Sequence, residues 1–148
     1  MPILVTSNAE KSSDIVLADS ELILDYFDEH EKFQRNDENK NELISKWRNL
    51  VSKKIAPIGK RAVLNRQEKK LFELLAEIDE DVVGPFLCGD ELTVADCAAF
   101  PFLWRIDQEF GSLNEKDHEC GRIRSWIDHC LENKAFKTTL QNNWWWWW

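Results

Sequence analysis

Residues 85–96 read Pro-Phe-Leu-Cys-Gly-Asp-Glu-Leu-Thr-Val-Ala-Asp, a turn that leads into a strongly specified helix start. Thr93 is a preferred N-cap residue, and Asp96 lies three positions later, where its carboxylate can accept a hydrogen bond from the Thr93 N–H. Leu92 and Cys97 occupy the two positions of a hydrophobic staple across the same cap. The sequence therefore predicts a helix that begins at Thr93, with Thr93 and Asp96 as its structural capping pair.

The predicted helix runs to about Phe110 and is apolar nearly all round over its first turns. A helix without a polar face is typical of the centre of a bundle. Pro101 removes one backbone hydrogen bond and is expected to bend this helix. Apolar residues at helical spacing predict further helices over residues 43–55, 71–78, 123–131 and 135–140, the first of them ended by Pro57 and Gly59.

The start of the chain has a different pattern. Residues 3–6 and 14–18 are short, apolar and rich in β-branched side chains, with a polar link between them, which predicts a two-stranded hairpin. From Ser20 the apolar spacing becomes helical, so a helix is expected over residues 20–30 with Ser20 as its N-cap. The polar segment 33–40 has no apolar period and indicates a linker.

Four regions are therefore expected along the chain. They are a hairpin-plus-helix domain over residues 1–32, the linker at 33–40, a helical domain over residues 41–141 and a tail at 142–148. The tail ends in Trp144–Trp148, five of the eight tryptophans. Such a run is more typical of an appended tag or a sequence placeholder than of a folded element. The weaker alternative is that the run binds an apolar surface in a large assembly.

Composition excludes several classes of function. The 148 residues include 27 acidic and 19 basic side chains, for a net charge of −8. This charge repels phosphate backbones, and no basic cluster is expected to offset it, so we expect no nucleic-acid partner. No apolar run is long enough to span a bilayer, and the first residues lack the features of a signal peptide. A cytoplasmic location, or one in an organelle stroma or matrix, is expected.

The four cysteines show no spacing that suggests a site. They match neither a paired zinc framework nor a C-x-x-C redox motif, and they are predicted to be buried, reduced thiols. Two histidines lie near the last two cysteines, so a metal site is the alternative. No carboxylate or thiol spacing supports that alternative, and we expect no metal. The cysteines are Cys88, Cys97, Cys120 and Cys130.

The string Phe-Leu-x-Gly-Asp-x-Leu-Thr-x-Ala-Asp over residues 86–96 resembles the start of the central helix in the all-helical domain of glutathione transferases. Residues 1–29, a Met-Pro-Ile-Leu start, a hairpin and an Asp-Ser pair that opens a helix, are similar to the second half of that family's thioredoxin-like domain. Residues 123–126 and 135–137 resemble its last helices. The resemblance covers about residues 1–141 and implies a mainly α fold, with the family's C-terminal helical bundle preceded by a partial thioredoxin-like ββα unit.

One stretch narrows the class of transferase that the chain resembles. Residues 96–105 read Asp-Cys-Ala-Ala-Phe-Pro-Phe-Leu-Trp-Arg, which is similar to the omega and lambda classes. Those classes use a cysteine nucleophile, so the resemblance implies glutathione-dependent transfer or thiol reduction, including dehydroascorbate reduction. The family's nucleophile precedes the segment at which this chain opens. The chain is therefore expected to be truncated at its N-terminus, and no catalytic residue is assigned within it.

The resemblance places half of a glutathione site at Pro2, Ile3, Asp19 and Ser20. Ser20, at a helix start, offers its hydroxyl and free backbone N–H groups to a carboxylate. Asp19 would take the ammonium of the γ-glutamyl group, and a cis proline at Pro2 would present backbone to the tripeptide's cysteine. The alternative interpretation of Asp19 and Ser20 is a capped turn that binds nothing.

A second group of side chains could line a pocket for an electrophilic substrate. At helical spacing such residues are more commonly part of a core, and both interpretations are kept. The five candidates are Trp47, Arg48, Val51, Trp104 and Phe110.

Two functions follow from the resemblance. The first is that of a glutathione transferase, with glutathione as substrate and a homodimer as its usual assembly. The alternative is a non-catalytic scaffold or interaction subunit, since transferase-like helical domains have this role in translation factors and synthetase complexes. An unpaired edge of the small sheet would then accept a strand from a protein partner.

Overall fold

The computed structural model describes residues 3–7, 14–17, 20–30, 38–111, 113 and 120–141. The tryptophan run and residues 33–37 of the predicted linker lie outside this part, whereas residues 38–40 of that linker are helical. The chain divides into two compact units, Met1–Asp37 and Glu38–Trp148. The elements in order are β1 (Leu4–Ser7), β2 (Asp14–Leu17), α1 (Ser20–His30), α2 (Glu38–Leu50), a π-helical turn (Val51–Ile55), α3 (Ala56–Asn65), α4 (Lys69–Asp79), α5 (Val94–Phe110), α6 (Gly121–Glu132) and α7 (Lys134–Gln141).

The first unit is a ββα arrangement. Strands β1 and β2 pair antiparallel, with Val5 directly opposite Val16. Because side chains alternate along a strand, these two valines share one face of the hairpin and Thr6 points to the other. The Thr6 hydroxyl lies 3.3 Å from the Tyr26 hydroxyl of α1, so α1 packs on that second face. The predicted hairpin and the helix after it are confirmed, but Ser20 is the first residue of α1 and not its N-cap as predicted.

Helix α5 is the centre of the second unit. It packs against α2, the π-helical turn, α3 and α6, while α4 contacts α3 and α6. Apolar side chains are buried along its length, as predicted for a helix without a polar face, and the helix continues past Pro101, which is exposed. The buried apolar residues of α5 are Val94, Ala95, Ala98, Ala99, Phe100, Leu103 and Ile106.

None of the described helices is both long and apolar enough to cross a membrane.

The helix that was predicted to end at Pro57 continues to Asn65. The chain widens into a π-helical turn at Val51–Ile55, and the Ala56 N–H donates to the Val51 carbonyl, five residues back. This turn ends two positions before Pro57, which lies in the first turn of α3. A proline lacks the N–H that an α-helix interior requires, but it is tolerated in the first turn of a helix. The wider turn therefore allows Pro57 to lie in the first turn of α3. The prediction that Pro57 ends the helix was wrong.

The expectation that no basic cluster offsets the acidic charge was also wrong. Residues 53–70 contain seven of the 19 lysines and arginines and only one of the 27 acidic residues. All eight of these side chains are exposed. The net charge of the whole chain does not reveal this basic segment, because the other 26 acidic residues outnumber its positive charges.

The end of α3 offers a test of backbone strain. Arg66 follows this helix in the left-handed conformation, with φ 55° and ψ 36°. A side chain costs about 1 kcal/mol there and a glycine costs little. We predict that Arg66→Gly raises the free energy of unfolding by about 0.5–1 kcal/mol in urea titrations. The control Lys60→Gly, at an exposed position inside α3, should lower it by about 1 kcal/mol. A loss of stability in Arg66→Gly would contradict the prediction.

Candidate functional site

The structure describes two of the four residues predicted to bind glutathione. Ile3 precedes β1 and is 62% exposed, and Ser20 is the first residue of α1. The first N–H groups of a helix have no partners within it, and they carry the positive end of the helix dipole. The start of α1 therefore has the backbone arrangement that a carboxylate requires. Pro2 and Asp19 lie outside the described residues.

Two of the predicted pocket residues are buried in the second unit. Trp47 is 1% exposed and Val51 is 3% exposed, so both belong to the core that α2 and the π-helical turn form with α5. The Trp47 indole N–H finds no hydrogen-bond partner among the described residues. The burial of Trp47 and Val51 supports the interpretation that these two residues are part of the core and do not line a substrate pocket.

The other three pocket residues, Arg48, Trp104 and Phe110, are half-buried. The Phe110 ring packs edge-on against the Phe72 ring of α4, with 5.8 Å between the ring centroids. Their partly exposed surfaces are available to a ligand. The structure thus separates the five candidates into two core residues and three at the surface of the bundle.

The carboxylate of Asp96 is the best-connected polar group in the described part of the second unit. Asp96 is 0% exposed. Its Oδ1 accepts from the Leu87 N–H at 2.8 Å and from the Trp126 indole N–H at 2.9 Å. Its Oδ2 accepts from the Thr93 N–H at 2.8 Å and from the Thr93 hydroxyl at 2.9 Å. Four donors therefore compensate the buried charge, which would otherwise be costly.

These bonds connect three parts of the fold. Thr93 is the N-cap of α5, and its hydroxyl also accepts from the Ala95 N–H at 3.2 Å. The reciprocal side chain to backbone bonds between Thr93 and Asp96 form a capping box. Leu87 lies in the turn before α5, and Trp126 lies on α6, thirty residues after Asp96. The capping residues are local in sequence, whereas Trp126 was not predicted to take part. The sequence signal for Trp126 is a tryptophan within the apolar stripe of a predicted helix, and such a residue needs a partner for its N–H.

The turn before α5 depends on Gly84. A Cβ atom at this position would lie 2.9 Å from the backbone carbonyl carbon and oxygen of Gly89, which is closer than real Cβ contacts. The Phe86 N–H donates to the Gly89 carbonyl at 3.0 Å across the same turn. This close approach holds Leu87 where its N–H reaches Asp96.

A second buried carboxylate orients α6. Asp79, the last residue of α4, accepts from the backbone N–H groups of Ile123 at 2.8 Å and of Arg122 at 3.2 Å. The residue at the N-cap position of α6, Cys120, forms no side-chain cap. Asp79 therefore caps α6 from another helix, and the negative charge lies at the positive end of its dipole. Sequence analysis missed this role because the two partners are more than forty residues apart.

A third buried carboxylate joins α5 to α6. Asp107 accepts from the Arg124 guanidinium at 2.6 Å and from the Leu113 N–H at 3.1 Å. The hydrogen bond to Asp107 raises the pKa of Arg124 further above its ordinary value. Arg124 also pairs with Asp128 along α6. The three carboxylates together fix the central helix, the next helix and Leu113 between them.

The four cysteines are all among the described residues, and each is a thiol. The predicted burial is confirmed for Cys88, Cys120 and Cys130, whereas Cys97 is half-buried. Burial, followed by the charge of Asp96, raises the pKa of Cys97 to about 11. Burial also raises the pKa of Cys120 to about 11 and that of Cys130 well above its usual range. These three thiols stay protonated at neutral pH, so they lack the thiolate that nucleophilic chemistry requires.

No metal centre is evident in the described ranges. Within them, no group of three histidine, cysteine, aspartate or glutamate side chains is placed to hold a metal ion. His129 instead lies against the Phe86 ring, with 4.9 Å between the ring centroids, and 3.6 Å from a carboxylate oxygen of Glu132.

Comparisons with known proteins agree with this architecture. Residues 61–129 match the family model described as glutathione S-transferase, C-terminal domain. A curated relative, glutathione S-transferase 3 of Glycine max, is 23% identical over an alignment that covers 84% of this chain and 62% of that protein. The chain thus spans less than two thirds of the length of this relative.

Two solved structures share the fold. A glutathione S-transferase from Pseudomonas fluorescens Pf-5 aligns with a TM-score of 0.64 at 16% identity, covering 80% of this chain and 65% of that one. A glutathione S-transferase from Xanthobacter autotrophicus Py2 aligns with a TM-score of 0.62 at 18% identity, covering 88% and 68%. The predicted fold class is confirmed, and these comparisons agree with the predicted resemblance to glutathione transferases. The segment matched by the family model includes Asp79, Asp96, Asp107 and Trp126.

Removing the acceptor at Asp96 should destabilise the second unit strongly. Asp96→Asn keeps the shape of the side chain but replaces one acceptor oxygen with a donor group, so buried N–H groups lose their partner. We predict that the free energy of unfolding falls by about 3 kcal/mol in urea titrations. Trp126→Phe removes one of the four donors and should cost about 1.5–3 kcal/mol.

Asp90→Asn is the matched control for the Asp96 substitution. Asp90 is exposed in the turn before the same helix, so its change should stay within about 0.5 kcal/mol of the parent chain. If Asp96→Asn and Asp90→Asn had equal stability, the Asp96 carboxylate would not be the anchor of this region.

Burial of the thiols predicts slow reaction with a disulfide reagent such as DTNB. A rise in the pKa of Cys97 from 9.0 to about 11 lowers the thiolate fraction about 100-fold at pH 8. The native chain should react at Cys97 at least that much more slowly than the urea-unfolded chain, and Cys97→Ser should remove this phase. A native thiol at this position that titrated below pH 9 would contradict the assignment.

The same shifts make stability depend on alkaline pH. The folded pKa of Cys97 and of Cys120, about 11, lies above the unfolded value of 9.0, so the folded chain retains these protons longer. Their contribution to stability is therefore complete below about pH 9 and is lost as the pH rises towards about 11.

Proposed function

We propose that this chain supplies the helical scaffold and part of the glutathione site of a glutathione transferase-like protein, which uses glutathione in group transfer or thiol reduction. The match of residues 61–129 to the glutathione S-transferase C-terminal domain carries the proposal. The order of elements in the first unit supports it. A hairpin followed by α1 is the order expected of the second half of the family's thioredoxin-like domain.

In this proposal the start of α1 binds the γ-glutamyl end of glutathione. The carboxylate accepts hydrogen bonds from the Ser20 hydroxyl and from the first N–H groups of α1, where the helix dipole favours negative charge. Asp19 pairs with the ammonium group. Pro2 and Ile3 lie beside the backbone of the tripeptide's cysteine. Arg48, Trp104 and Phe110 are the residues assigned to contact an electrophilic substrate, because each keeps part of its surface exposed.

The finer assignment is to a cysteine-using class similar to omega and lambda transferases. Residues 96–105 support this assignment by placing a proline, aromatic residues and Arg105 after the capping aspartate. In the structure Arg105 forms an ion pair with Glu109, one turn further along α5. Cys97, Cys120 and Cys130 are not assigned as the nucleophile of that class, since burial keeps their pKa values high.

A non-catalytic interaction subunit is the second candidate. One face of the hairpin supports it, because Ile3, Val5 and Val16 are 62%, 60% and 61% exposed. Apolar side chains grouped on one side of a small sheet are typical of a surface that another polypeptide covers. In this case the fold would be retained for association, either as a homodimer or with a different protein.

Glutathione binding distinguishes the two candidates. The folded 148-residue chain, titrated with glutathione in a calorimeter, should bind with a Kd of about 1 mM or lower. Ser20→Ala removes the hydroxyl and Asp19→Asn removes the charge that pairs with ammonium. Each should weaken binding about tenfold, a loss of about 1.4 kcal/mol.

Ser45→Ala is the matched control, since Ser45 is an exposed serine on α2 that the proposal does not assign to the site. Its affinity for glutathione should equal that of the parent chain. A folded chain that bound no glutathione at about 10 mM would favour the non-catalytic subunit.

A further inference from the structure

The π-helical turn and α3 present a surface that the proposed function does not use. We define the basic face as Lys53, Lys54, Lys60, Arg61, Leu64 and Arg66. All six side chains are exposed, and Leu64 is 62% exposed.

The exposed positions of this segment alternate with its buried positions. Lys53 and Lys54 lie between Val51 and Ile55, and Lys60 and Arg61 lie between Gly59 and Ala62, so the four cations face away from the buried side. Leu64 comes two positions after Ala62 and is also exposed. The opposite side of the same segment packs into the core. Its buried residues are Val51, Ile55, Gly59 and Ala62.

The cations of the basic face have no acidic partners among the described residues. In the part of the chain that the structure describes, Lys53, Lys54, Lys60 and Arg66 form no ion pair, and Arg61 donates only to the Pro57 carbonyl. By contrast, Lys46 pairs with Asp81 and Lys40 pairs with Glu91 on neighbouring parts of the bundle. The positive charge of the basic face is therefore available to a partner.

The charge balance of the rest of the chain restricts the kind of partner. Outside residues 53–70 the chain has 12 basic and 26 acidic residues. A long polyanion such as RNA, or a wide anionic surface such as a membrane, would also meet this negative remainder and be repelled. A short acidic segment meets only the basic face. The exposed Leu64 lies among the cations and suits an apolar side chain, which a sugar-phosphate backbone does not have.

We propose that the basic face is a docking surface for an acidic, amphipathic segment of another protein. Carboxylates of that segment pair with Lys53, Lys60 and Arg61, and an apolar side chain packs on Leu64. The charges steer the encounter and set its orientation, and the apolar contact slows dissociation. This surface lies on α3 and the turn before it, so the inference is independent of glutathione binding at α1.

The test uses the 148-residue chain and a fluorescein-labelled peptide of about 16 residues built from repeated Glu-Glu-Leu-Ala. Fluorescence anisotropy at about 0.1 M salt should show binding that weakens as salt is added. The double variant Lys53→Glu and Lys60→Glu should bind the peptide about tenfold more weakly or worse.

The matched control is Lys134→Glu with Lys137→Glu, which changes the net charge equally at two exposed positions on α7. It should change the affinity by less than about twofold. A second pair tests the apolar contact. Leu64→Ser should weaken binding several-fold, whereas Val83→Ser, at a residue that is also 62% exposed, should not. Thermal melts check that each variant is folded.

Two results would overturn the proposal. One is equal peptide affinity for the Lys53/Lys60 and Lys134/Lys137 double variants, which would show that only the net charge matters. The other is binding to single-stranded DNA of equal charge, or to phosphatidylserine vesicles, that is as tight as binding to the peptide. That result would assign the basic face to phosphate groups instead of a protein segment.

Discussion

The buried carboxylate of Asp96 is the interaction on which the second unit depends. A charge with no exposure to water is stable in a fold only when hydrogen bonds replace its hydration. Here Leu87, Thr93 and Trp126 supply four donors. The turn before α5, the start of α5 and the middle of α6 are thereby held to one point. Apolar packing alone is not directional, so it could not define these positions as sharply.

Two further carboxylates repeat this arrangement in the same unit. Asp79 caps α6 from α4, and Asp107 receives Arg124 and the Leu113 N–H. Each lies where a backbone N–H would otherwise be buried without a partner, and a lone buried N–H costs about 1–3 kcal/mol. The bundle is therefore assembled by polar contacts at its helix ends and by apolar contacts along its length. The acidic composition of the chain contributes to the interior as well as to the surface.

In the described part of the chain, the residues that stabilise the fold and those proposed to bind glutathione lie in different units. The second unit carries the family match and the buried polar network, but its thiols at Cys97, Cys120 and Cys130 are held protonated by burial. The residues proposed to bind glutathione belong to the first unit, and they include Ser20 at the start of α1. The basic face on α3 adds a third region, one whose charge is opposite to that of the rest of the chain. Stability, ligand binding and protein association are thus assigned to different elements.

Much of this protein could be predicted from its sequence because the responsible contacts are local. The cap at Thr93 and Asp96 joins residues three positions apart, and the hairpin and α1 follow from strand and helix periods that short segments display. The continuation of the first long helix past Pro57 was not predictable in this way. It depends on a π-helical turn whose hydrogen bond reaches one residue further than in an α-helix. The basic segment at residues 53–70 was missed because only the net charge of the whole chain, −8, was considered.

The sequence by itself determined the fold class, the position of the central helix and the resemblance to glutathione transferases, since periodicity and capping are properties of neighbouring residues. Only the tertiary structure decided which polar groups become partners across the bundle. Trp126 reaches Asp96 and Asp79 reaches Ile123 because packed helices bring distant residues together. It also decided that Trp47 is part of the core whereas Trp104 is only half-buried. Burial depends on how the helices pack, and the sequence spacing of these two tryptophans does not distinguish them.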